Sequence, residues 1–509
     1  MFQFISGSLW RRTSFIVKGL RGKQSKNRCS SGLCDADTIF ALSSGHGRCG
    51  VAVVRVSGPA SGLVLSSLAG QTHSRTAPRT ARLCNIINPR SQELLDRGLV
   101  LWFPGPRSFT GEDSVEFHIH GGLAVISGVL QALGSLPGVR PAEAGEFTRR
   151  AFHAGKLDLT EVEGLGDLIH AETEAQRRQA LRQMAGDLGR LYLDWSQRLI
   201  RCLAHVEAYI DFSEDELIED GVLNQVDSAV SKLQTEVERH LRDGRRGERL
   251  RSGVQVVIAG NTNAGKSSLL NVLCQRPAAI VSPVAGTTRD VVETHVDISG
   301  FPVLLSDTAG LRDTLDSVER EGVRRARERV EQADLTLAVL DAVHLPRTPG
   351  GVPDFLLAHL GALLPGGEGR EEAWRRSLLV LNKSDLLTAE HAAEVQSALD
   401  GAQGLPPSCL LSCQTGQGLD GFMEALEKQV KTLCGDPLSG APSLTQARHR
   451  AHLQQCVEAL AQYHHYRDLD LALAAEGVRL ALTSLGRITG KVGAEEILDV
   501  IFRDFCIGK

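Results

Sequence analysis

One segment of the sequence has the residue types and spacing of a phosphate-binding loop. Gly260–Ser267 reads Gly-Asn-Thr-Asn-Ala-Gly-Lys-Ser and fits the pattern G-x-x-x-x-G-K-[ST], between the β-rich run Val254–Ile258 and a helical pattern that opens at Ser268. In such a loop the backbone N–H groups surround the phosphates, the lysine reaches the β- and γ-phosphates and the serine hydroxyl binds Mg²⁺. We therefore expect Lys266 and Ser267 to take these roles, with a glycine-rich turn as the plain alternative.

Three further motifs follow in a fixed order, each after an apolar strand pattern. The first of them, Asp307–Gly310, would place a carboxylate beside the Mg²⁺. Between the phosphate-binding loop and this motif, Gly286–Asp290 offers Thr288 as a switch threonine. Asn382–Asp385 ends in a carboxylate that can accept both the ring N–H and the exocyclic amino group of guanine, donors that adenine lacks as a pair. Ser412–Gly416 fits the loop that closes over the base. Four motifs in this order predict a domain that binds GTP rather than ATP.

The residues expected to contact GTP lie in these motifs and are Asn263, Ala264, Gly265, Lys266, Ser267, Ser268, Gly286, Thr287, Thr288, Asp307, Thr308, Ala309, Gly310, Asn382, Lys383, Asp385, Ser412 and Cys413. Of these, Ser267 and Thr288 are the expected Mg²⁺ ligands. Leu311 follows Asp307–Gly310, at the position where many Ras-like proteins use a glutamine to orient the attacking water. Because leucine cannot orient water, the sequence predicts another device for that step.

Composition indicates a globular chain of about three domains. Of its 509 residues, 42% are hydrophobic and 23% are charged. No stretch approaches the roughly 18 uninterrupted apolar residues of a membrane-spanning helix, which excludes an integral membrane protein. The same balance excludes a collagen, a coiled-coil rod and a disordered chain. The 11 cysteines include no Cys-x-x-Cys pair, so we expect a reducing compartment rather than a disulfide framework or a zinc ribbon.

The first 34 residues differ from the rest in charge. Seven basic residues and no acidic one precede Asp35, and serines and large apolar side chains lie between them. This composition is typical of an organelle transit peptide, and a disordered basic tail is the alternative. Without this leader the formal net charge falls from −5 to −12. Contact with RNA would therefore need a local patch or a partner protein.

Residue patterns divide the rest of the chain. Short β-rich runs alternate with glycine and proline turns from residue 37 to 150. Helical spacing of apolar residues dominates from about Leu157 to Leu250 and returns after Pro442. The β-containing stretch between them predicts a domain inserted into a helical domain. Pro349–Gly369 is rich in glycine and proline, and we expect it to be a surface loop.

With further short motifs, the chain resembles the MnmE (TrmE) family of tRNA-modification GTPases, in the form of a mitochondrial member. The resemblance runs from Asp37 to Lys509. Besides the GTPase motifs it rests on segments throughout the chain, namely Gly50–Gly58, Phe109–Asp113, His120–Gly122, Gly145–Phe152, Lys156–Leu159 and Phe505–Lys509.

The resemblance implies a multidomain α/β fold in five segments. They are a mitochondrial transit peptide (1–34), an N-terminal α/β domain for tetrahydrofolate binding and dimerisation (35–155), the first part of an all-α helical domain (156–250), an inserted Ras-like P-loop G domain (251–434) and the second helical part with a final Cys-Ile-Gly-Lys motif (435–509).

The resemblance also implies an activity. Family members are potassium-dependent GTPases that form homodimers and act with an FAD-containing MnmG-type partner. Together they transfer a one-carbon unit from tetrahydrofolate, as the 5-formyl or 5,10-methylene form, to C5 of wobble uridine 34. For a mitochondrial member we expect a taurinomethyl group on mitochondrial tRNA, in the matrix and away from the membrane.

Individual residues match the functional positions of the family. For potassium the matching residues are Asn263, Ser282, Val284 and Thr287; bacterial members often have threonine where Ser282 stands. For tetrahydrofolate they are Arg55, Glu116, Lys156 and Lys509. Glu319 matches a water-orienting glutamate, which would compensate for Leu311, and Cys506 lies beside the implied one-carbon site. By residue type alone, a lone cysteine near a C-terminus is more often inert, and the motif around Cys506 makes a chemical role about as well supported as an inert one.

Other functions and sites would each need a feature of their own in the sequence. A GTP-dependent assembly factor for the mitochondrial ribosome would need a complete KH module around Gly490–Gly493. A dynamin-like membrane protein would need a basic amphipathic helix or a lipid anchor, which the body lacks. His118 and His120 share a strand face but have no evident third metal ligand. The arginine cluster from Arg239 to Arg251 is interspersed with acidic residues, and we expect a solvated face.

Overall fold

The structure is a computed structural model. It describes residues 37–45, 47–72, 76–212, 221–275, 293–307, 328–363, 374–402, 404–440, 442–492, 501, 502, 505 and 508. Within these ranges the chain forms two six-stranded sheets and many helices, which confirms the multidomain α/β class. None of the helices in these ranges has the length and apolar character that would let it cross a bilayer.

The first sheet comes from the N-terminal part of the chain. Its elements are β1 (Thr38–Leu42), β2 (Cys49–Ser57), α1 (Ser61–Ala69), β3 (Arg82–Ile87), β4 (Leu94–Phe103), β5 (Ser114–Gly121), α2 (Leu123–Gly134), β6 (Val139–Pro141) and α3 (Glu146–His153). The strand order is β3-β4-β5-β2-β1-β6, with β6 parallel to β1 and the other pairs antiparallel. Alternate residues such as Val54 and Val56 are buried among residues of α1 and α2. The opposite face carries Arg55, which is directly across from Glu116.

A run of helices follows. They are α4 (Leu159–His170), α5 (Glu174–Met184), α6 (Asp187–Phe212), α7 (Gly221–Leu241) and α8 (Arg246–Ser252). Asp158 begins α4 and Thr173 begins α5, each with a capping box in which side chain and backbone satisfy each other's hydrogen bonds. The apolar stripe predicted in α7 is buried at Val226, Val230 and Leu233.

The second sheet belongs to the inserted part. Its elements are β7 (Val254–Gly260), α9 (Lys266–Cys274), β8 (Glu293–Ile298), β9 (Phe301–Asp307), β10 (Leu335–Asp341), α10 (Val352–Leu363), β11 (Ser377–Asn382), α11 (Ala389–Gly401), β12 (Ser408–Leu410) and α12 (Leu419–Cys434). The order is β12-β11-β10-β7-β9-β8, parallel except for β8. Residues of α9 and α12 pack on one face, and those of α10 and α11 pack on the other.

The expected surface loop at Pro349–Gly369 is wrong for most of its length. Residues Val352–Leu363 form α10, and its Leu356 and Leu360 are fully buried against the sheet. The glycines and prolines of the segment favour a loop, but Leu356 and Leu360 have the spacing of one helix face. Residues 364–369 lie outside the described residues.

Two helices complete the helical domain, α13 (Ala447–Tyr466) and α14 (Leu471–Thr489). They share one core with α6 and α7, so segments on both sides of the insertion build a single unit. Gly490 ends α14 with a left-handed φ of 79°. In the part of residues 435–509 that the structure describes, the regular elements are helices, so no KH strands occur there.

The expectation of a solvated face for the arginine cluster is wrong for Arg249, whereas Arg251 is exposed although it forms an ion pair. Arg249 Nε lies 2.7 Å from Asp334 Oδ1, and both side chains are mostly buried. Arg251 Nε lies 2.7 Å from Asp167 Oδ1 on α4. These ion pairs connect α8 to the inserted domain on one side and to the helical domain on the other. Arg249 and Arg251 therefore link the two domains.

Candidate functional site

The predicted nucleotide motifs meet at one edge of the second sheet. The parallel strands β7, β9, β10 and β11 end there at Gly260, Asp307, Asp341 and Asn382. Asp341 pairs in register with Asn382, and Ile258 pairs with Asp307. Ligands of open parallel sheets bind at this carboxyl edge, so the topology brings the motifs together as the sequence predicts.

Asn382 links two of the motifs through its side-chain amide. Its Nδ2 donates to the carbonyl oxygen of Ala264 at 3.0 Å, and its Oδ1 accepts from the backbone N–H of Cys413 at 3.1 Å. Gly265 faces the same amide so closely that any Cβ would collide with Nδ2. The phosphate loop and the base-binding loop are therefore held at a fixed separation by one buried side chain.

Lys266 is held inside the phosphate loop. Its Nζ donates to the carbonyl oxygens of Gly260 and Asn261, each at 2.8 Å, and the residue is buried. Gly265, with a left-handed φ of 94°, precedes α9, whose N-terminal N–H groups favour an anion. Ser267 and Ser268 lie exposed in the first turn. This loop can bind phosphate with a lysine and a helix N-terminus at once.

The base-binding side contains an aspartate that sequence reasoning missed. Lys383 Nζ lies 2.7 Å from Asp341 Oδ2, and Lys383 itself has a left-handed φ of 67°. Burial raises the pKa of Asp341, but hydrogen bonds from Lys383 and a backbone N–H outweigh it and lower the pKa. Asp341 ends a buried strand as Asn382 does, and that signal could have identified it. Asp385 lies exposed nearby in the chain, open to a base.

The loop Ser412–Gly416 is tightened by its own first side chain. Ser412 Oγ accepts from the backbone N–H groups of Gln414 at 3.2 Å and Thr415 at 3.1 Å. Burial, together with the charge of Asp385, raises the pKa of the Cys413 thiol to about 11. Cys413 therefore remains a neutral thiol at physiological pH.

Several predicted site residues lie outside the described residues. They are Ser282, Val284, Gly286, Thr287, Thr288, Thr308, Ala309, Gly310, Glu319, Cys506 and Lys509. Asp307 ends β9. The predicted roles of these residues stay predictions.

The predicted folate residues occupy a second site on the first sheet. Arg55 Nε lies 3.0 Å from Glu116 Oε1, with side chains about one-fifth exposed (20% and 19%). The Arg55 guanidinium lies over the rings of Phe109, at 5.4 Å, and Phe147, at 5.8 Å. Sequence reasoning missed these two aromatic residues, although both stand in the motifs that carry the family resemblance. Together they form a partly buried, charged site beside the exposed ring of Phe109, with the buried ring of Phe147 packed under the guanidinium.

Lys156 follows the C-terminal end of α3 and contacts the segment that leads to Phe109. Its Nζ donates to the carbonyl oxygen of Pro106, three residues before Phe109. Of the two histidines, His118 Nε2 lies 3.4 Å from Glu116 Oε2 and His120 Nδ1 lies 2.8 Å from Asp96 Oδ1. Among the described residues no group of histidine, cysteine and carboxylate side chains is arranged to hold a metal ion.

Two family models and several relatives match this chain. The family model "GTP-binding protein TrmE N-terminus" matches residues 38–156, and the model "MnmE helical domain" matches residues 159–506. A Danio rerio protein, "5-taurinomethyluridine-[tRNA] synthase subunit GTPB3, mitochondrial", is 68% identical over 99% of this chain and 100% of that protein. The Homo sapiens protein of that name is 61% identical over 93% of each chain. The "tRNA modification GTPase MnmE" of Parvibaculum lavamentivorans is 50% identical over 93% of this chain and 100% of that protein.

Proposed function

The chain belongs to the MnmE (TrmE) family of tRNA-modification GTPases, and from this premise we propose that it hydrolyses GTP in order to modify wobble uridine 34 of mitochondrial tRNA. The product is a taurinomethyl group at C5, since the names of the animal relatives include 5-taurinomethyluridine. The observation that carries the GTPase assignment is the Asn382 amide, which joins the phosphate loop to the base loop.

In the proposed GTP complex, each described motif has one task. Lys266 exchanges its two carbonyl partners for β- and γ-phosphate oxygens, because a phosphate offers it stronger charge-assisted bonds. Asp385 accepts from guanine, and the loop Ser412–Gly416 closes over the base. Ser267 and Thr288 bind Mg²⁺, which neutralises phosphate charge when bound. Glu319 orients the attacking water, because Leu311 stands where many Ras-like proteins have a glutamine for that task.

Potassium is the proposed counter-charge for the transition state, with Asn263, Ser282, Val284 and Thr287 as its ligands. Asn263 supports this because the side chain is exposed on the phosphate loop and its backbone has a left-handed φ of 63°. Asparagine tolerates that conformation better than most residues. The oxygen-rich loop suits a weakly hydrated cation that stabilises charge developing between the β- and γ-phosphates.

We expect GTP turnover to rise when sodium is replaced by potassium, and Asn263→Gly to remove most of that rise. Glycine accepts the left-handed φ, so the substitution removes the side-chain oxygen without straining the loop. Initial rates in matched chloride salts provide the measurement. Asn271→Ala, on the exposed side of α9, is the control and should keep the potassium response. Equal rates in both salts for the unmodified protein would contradict the proposal.

Tetrahydrofolate is the proposed one-carbon donor, bound by Arg55, Glu116, Lys156 and Lys509. The residues fit it because the exposed ring of Phe109 offers a flat surface beside a guanidinium and a carboxylate, and the buried ring of Phe147 supports the guanidinium. Glu116 can accept from amino donors on the pterin, and the basic side chains can bind the glutamyl carboxylates. The ion pair between Arg55 and Glu116 supports a shared ligand, because it holds the two side chains next to each other. When bound, the folate supplies the one-carbon unit.

Separating the two sites tests the function. In cells that lack the protein, we expect Cys506→Ser to restore no modified wobble uridine, while the purified variant hydrolyses GTP within a few-fold of normal. Glu319→Ala should do the reverse, with folate affinity intact and GTP turnover strongly reduced, because it acts on the transition state. Mass spectrometry of mitochondrial tRNA gives the readout. Normal modification in the absence of the protein, with defective ribosomes, would instead support the ribosome-assembly function.

A homodimer, an FAD-containing MnmG-type partner and the mitochondrial matrix complete the proposal. The dimer is supported by apolar side chains on the sheet face that carries Arg55, since Val51, Leu83 and Leu99 are 59%, 55% and 41% exposed. Leu83 and Leu99 are cross-strand partners, so they form one patch. A partner protein is consistent with the word "subunit" in the names of the animal relatives.

The domain bounds are also part of the proposal. We propose a leader at 1–34, a folate-binding domain at 35–155, a helical domain at 156–250 and 435–509, and a G domain at 251–434. The core that α6 and α7 share with α13 and α14 supports the split helical domain.

A further inference from the structure

The last described residues of the chain return to the first sheet. Phe502 is fully buried, and its backbone lies against Gly145 at the start of α3, leaving no room for a Cβ there. Phe505 is buried with its ring 3.3 Å from the position that a Cβ of Gly166 on α4 would occupy. Gly508 lies against Leu42 and Ser43 at the end of β1. Phe502, Phe505 and Gly508, at intervals of three residues, thus each pack against an earlier part of the chain.

Ser43 provides the polar contact to Gly508, the last of these three residues. Its Oγ donates to the carbonyl oxygen of Gly508 at 2.9 Å, and its own N–H donates to Val53 at 2.7 Å. The second bond continues the β1–β2 ladder past Leu42, so the Ser43 backbone is fixed by the sheet. The hydroxyl is therefore presented from the first sheet, and Gly508 is the residue that it holds.

Gly508 fits this position for two independent reasons. Its φ of +104° is a conformation that residues with a Cβ rarely adopt. A Cβ would also collide with the carbonyl oxygen of Leu42. Ala41, next to Leu42, is directly across the ladder from Arg55. The tail is thus brought to within two ladder positions of the proposed folate arginine.

We propose that Ser43 is a positioning residue, which holds the segment around Gly508 beside Arg55 so that the tail completes the one-carbon site. The role rests on the proposed folate function. Ser43 itself contacts the tail and takes no part in GTP binding, whose motifs lie in another domain. Loss of its hydroxyl should release the tail and weaken folate binding while GTP hydrolysis continues.

The neighbouring serine offers a matched control. Ser44 Oγ accepts from the backbone N–H of Val53 at 3.2 Å and thus bonds to the sheet instead of to the tail. Ser43→Ala and Ser44→Ala remove the same atom from adjacent positions. Ser43→Thr keeps a hydroxyl and should behave as the unmodified protein. Gly508→Ala adds a Cβ at the contact, and Gly138→Ala, at a φ of +72° with open space around it, controls for backbone strain alone.

Two measurements on the full-length chain test the proposal. Hydrogen–deuterium exchange of the peptide from Phe502 to Lys509 reports docking, and titration with 5-formyltetrahydrofolate reports the site. We expect Ser43→Ala and Gly508→Ala to speed exchange of that peptide. Folate affinity should fall by about two- to twelve-fold for Ser43→Ala, the range for one lost hydrogen bond. Both control variants and Ser43→Thr should leave exchange and affinity unchanged.

The outcomes separate the inference from the function on which it rests. Unchanged exchange in Ser43→Ala would overturn the docking role of Ser43. Faster exchange with unchanged folate affinity would overturn the positioning role, because docking would then serve something else. Absence of folate binding by the unmodified protein would overturn the folate site itself and the role of Ser43 in it.

Discussion

Asp385→Asn is expected to reverse the base preference of the GTPase from guanine to xanthine. The amide presents a donor where the carboxylate presents an acceptor, so it faces the exocyclic amino group of guanine with like polarity. Xanthine has a carbonyl oxygen at that position and accepts from the amide. A site built to pair with a substrate group discriminates by up to about 10⁴-fold against a base that leaves it unpaired. Competition of GTP against xanthosine triphosphate measures the preference.

The exposed position of Asp385 makes this substitution a clean one. The side chain does not take part in the Asn382 link, so the loop should keep its shape. Asp420→Asn, an exposed aspartate in the first turn of α12, has the same change in charge and should keep the preference for GTP. A variant Asp385→Asn that still prefers GTP would show that another residue selects the base.

Glu163→Gln is expected to destabilise the helical domain by about 3–5 kcal/mol, the usual cost of removing one member of a buried ion pair. Glu163 on α4 is only 3% exposed, and its two oxygens lie 2.6 Å from Arg448 Nε and 2.8 Å from His449 Nε2 on α13. The glutamine keeps the shape but leaves Arg448 without its counter-charge. Hydrogen exchange of α13 peptides should become faster by about 10²–10⁴-fold.

Acid should act on the same contact. Burial raises the pKa of Glu163, but the charges and hydrogen bonds of His449 and Arg448 outweigh it and lower the pKa to about 2 from 4.5. The stabilisation is therefore full above the unfolded pKa and is lost as the pH falls from about 4.5 towards 2. Glu163→Gln should lack this part of the pH dependence. Glu174→Gln is the control, because Glu174 forms ion pairs on an exposed surface and should change little. Equal exchange rates in both variants would refute the assignment.

Much of the inserted domain could be predicted because its function constrains local sequence. A phosphate loop needs glycines, a lysine and a serine at fixed spacing, and Gly265 shows why, since a Cβ there would strike Asn382. Helix α10 was missed because a short helix between glycine-rich flanks has no comparable local signal. Its leucines become informative only when the sheet that buries them is known.

The contacts that join distant segments could not be predicted. Arg249 and Asp334 are separated by 85 positions. The residues around each of them give no indication that the two side chains form a pair. The same holds for Arg55 and Glu116, whose pairing depends on strand register. Charge alternation around Arg249 is compatible with exposure and with burial alike, and the choice between them is made by tertiary packing.

The contact between Ser43 and Gly508 has a consequence for folding, because 465 positions separate the two residues. Bringing such distant residues together costs conformational entropy that no local contact offsets, so we expect this contact to form late, after the first sheet and the inserted domain. A chain caught at that stage would hold a folded GTP-binding unit and a first sheet that lacks its contact with Gly508. We therefore expect GTP binding to return before folate binding when the unfolded protein is refolded.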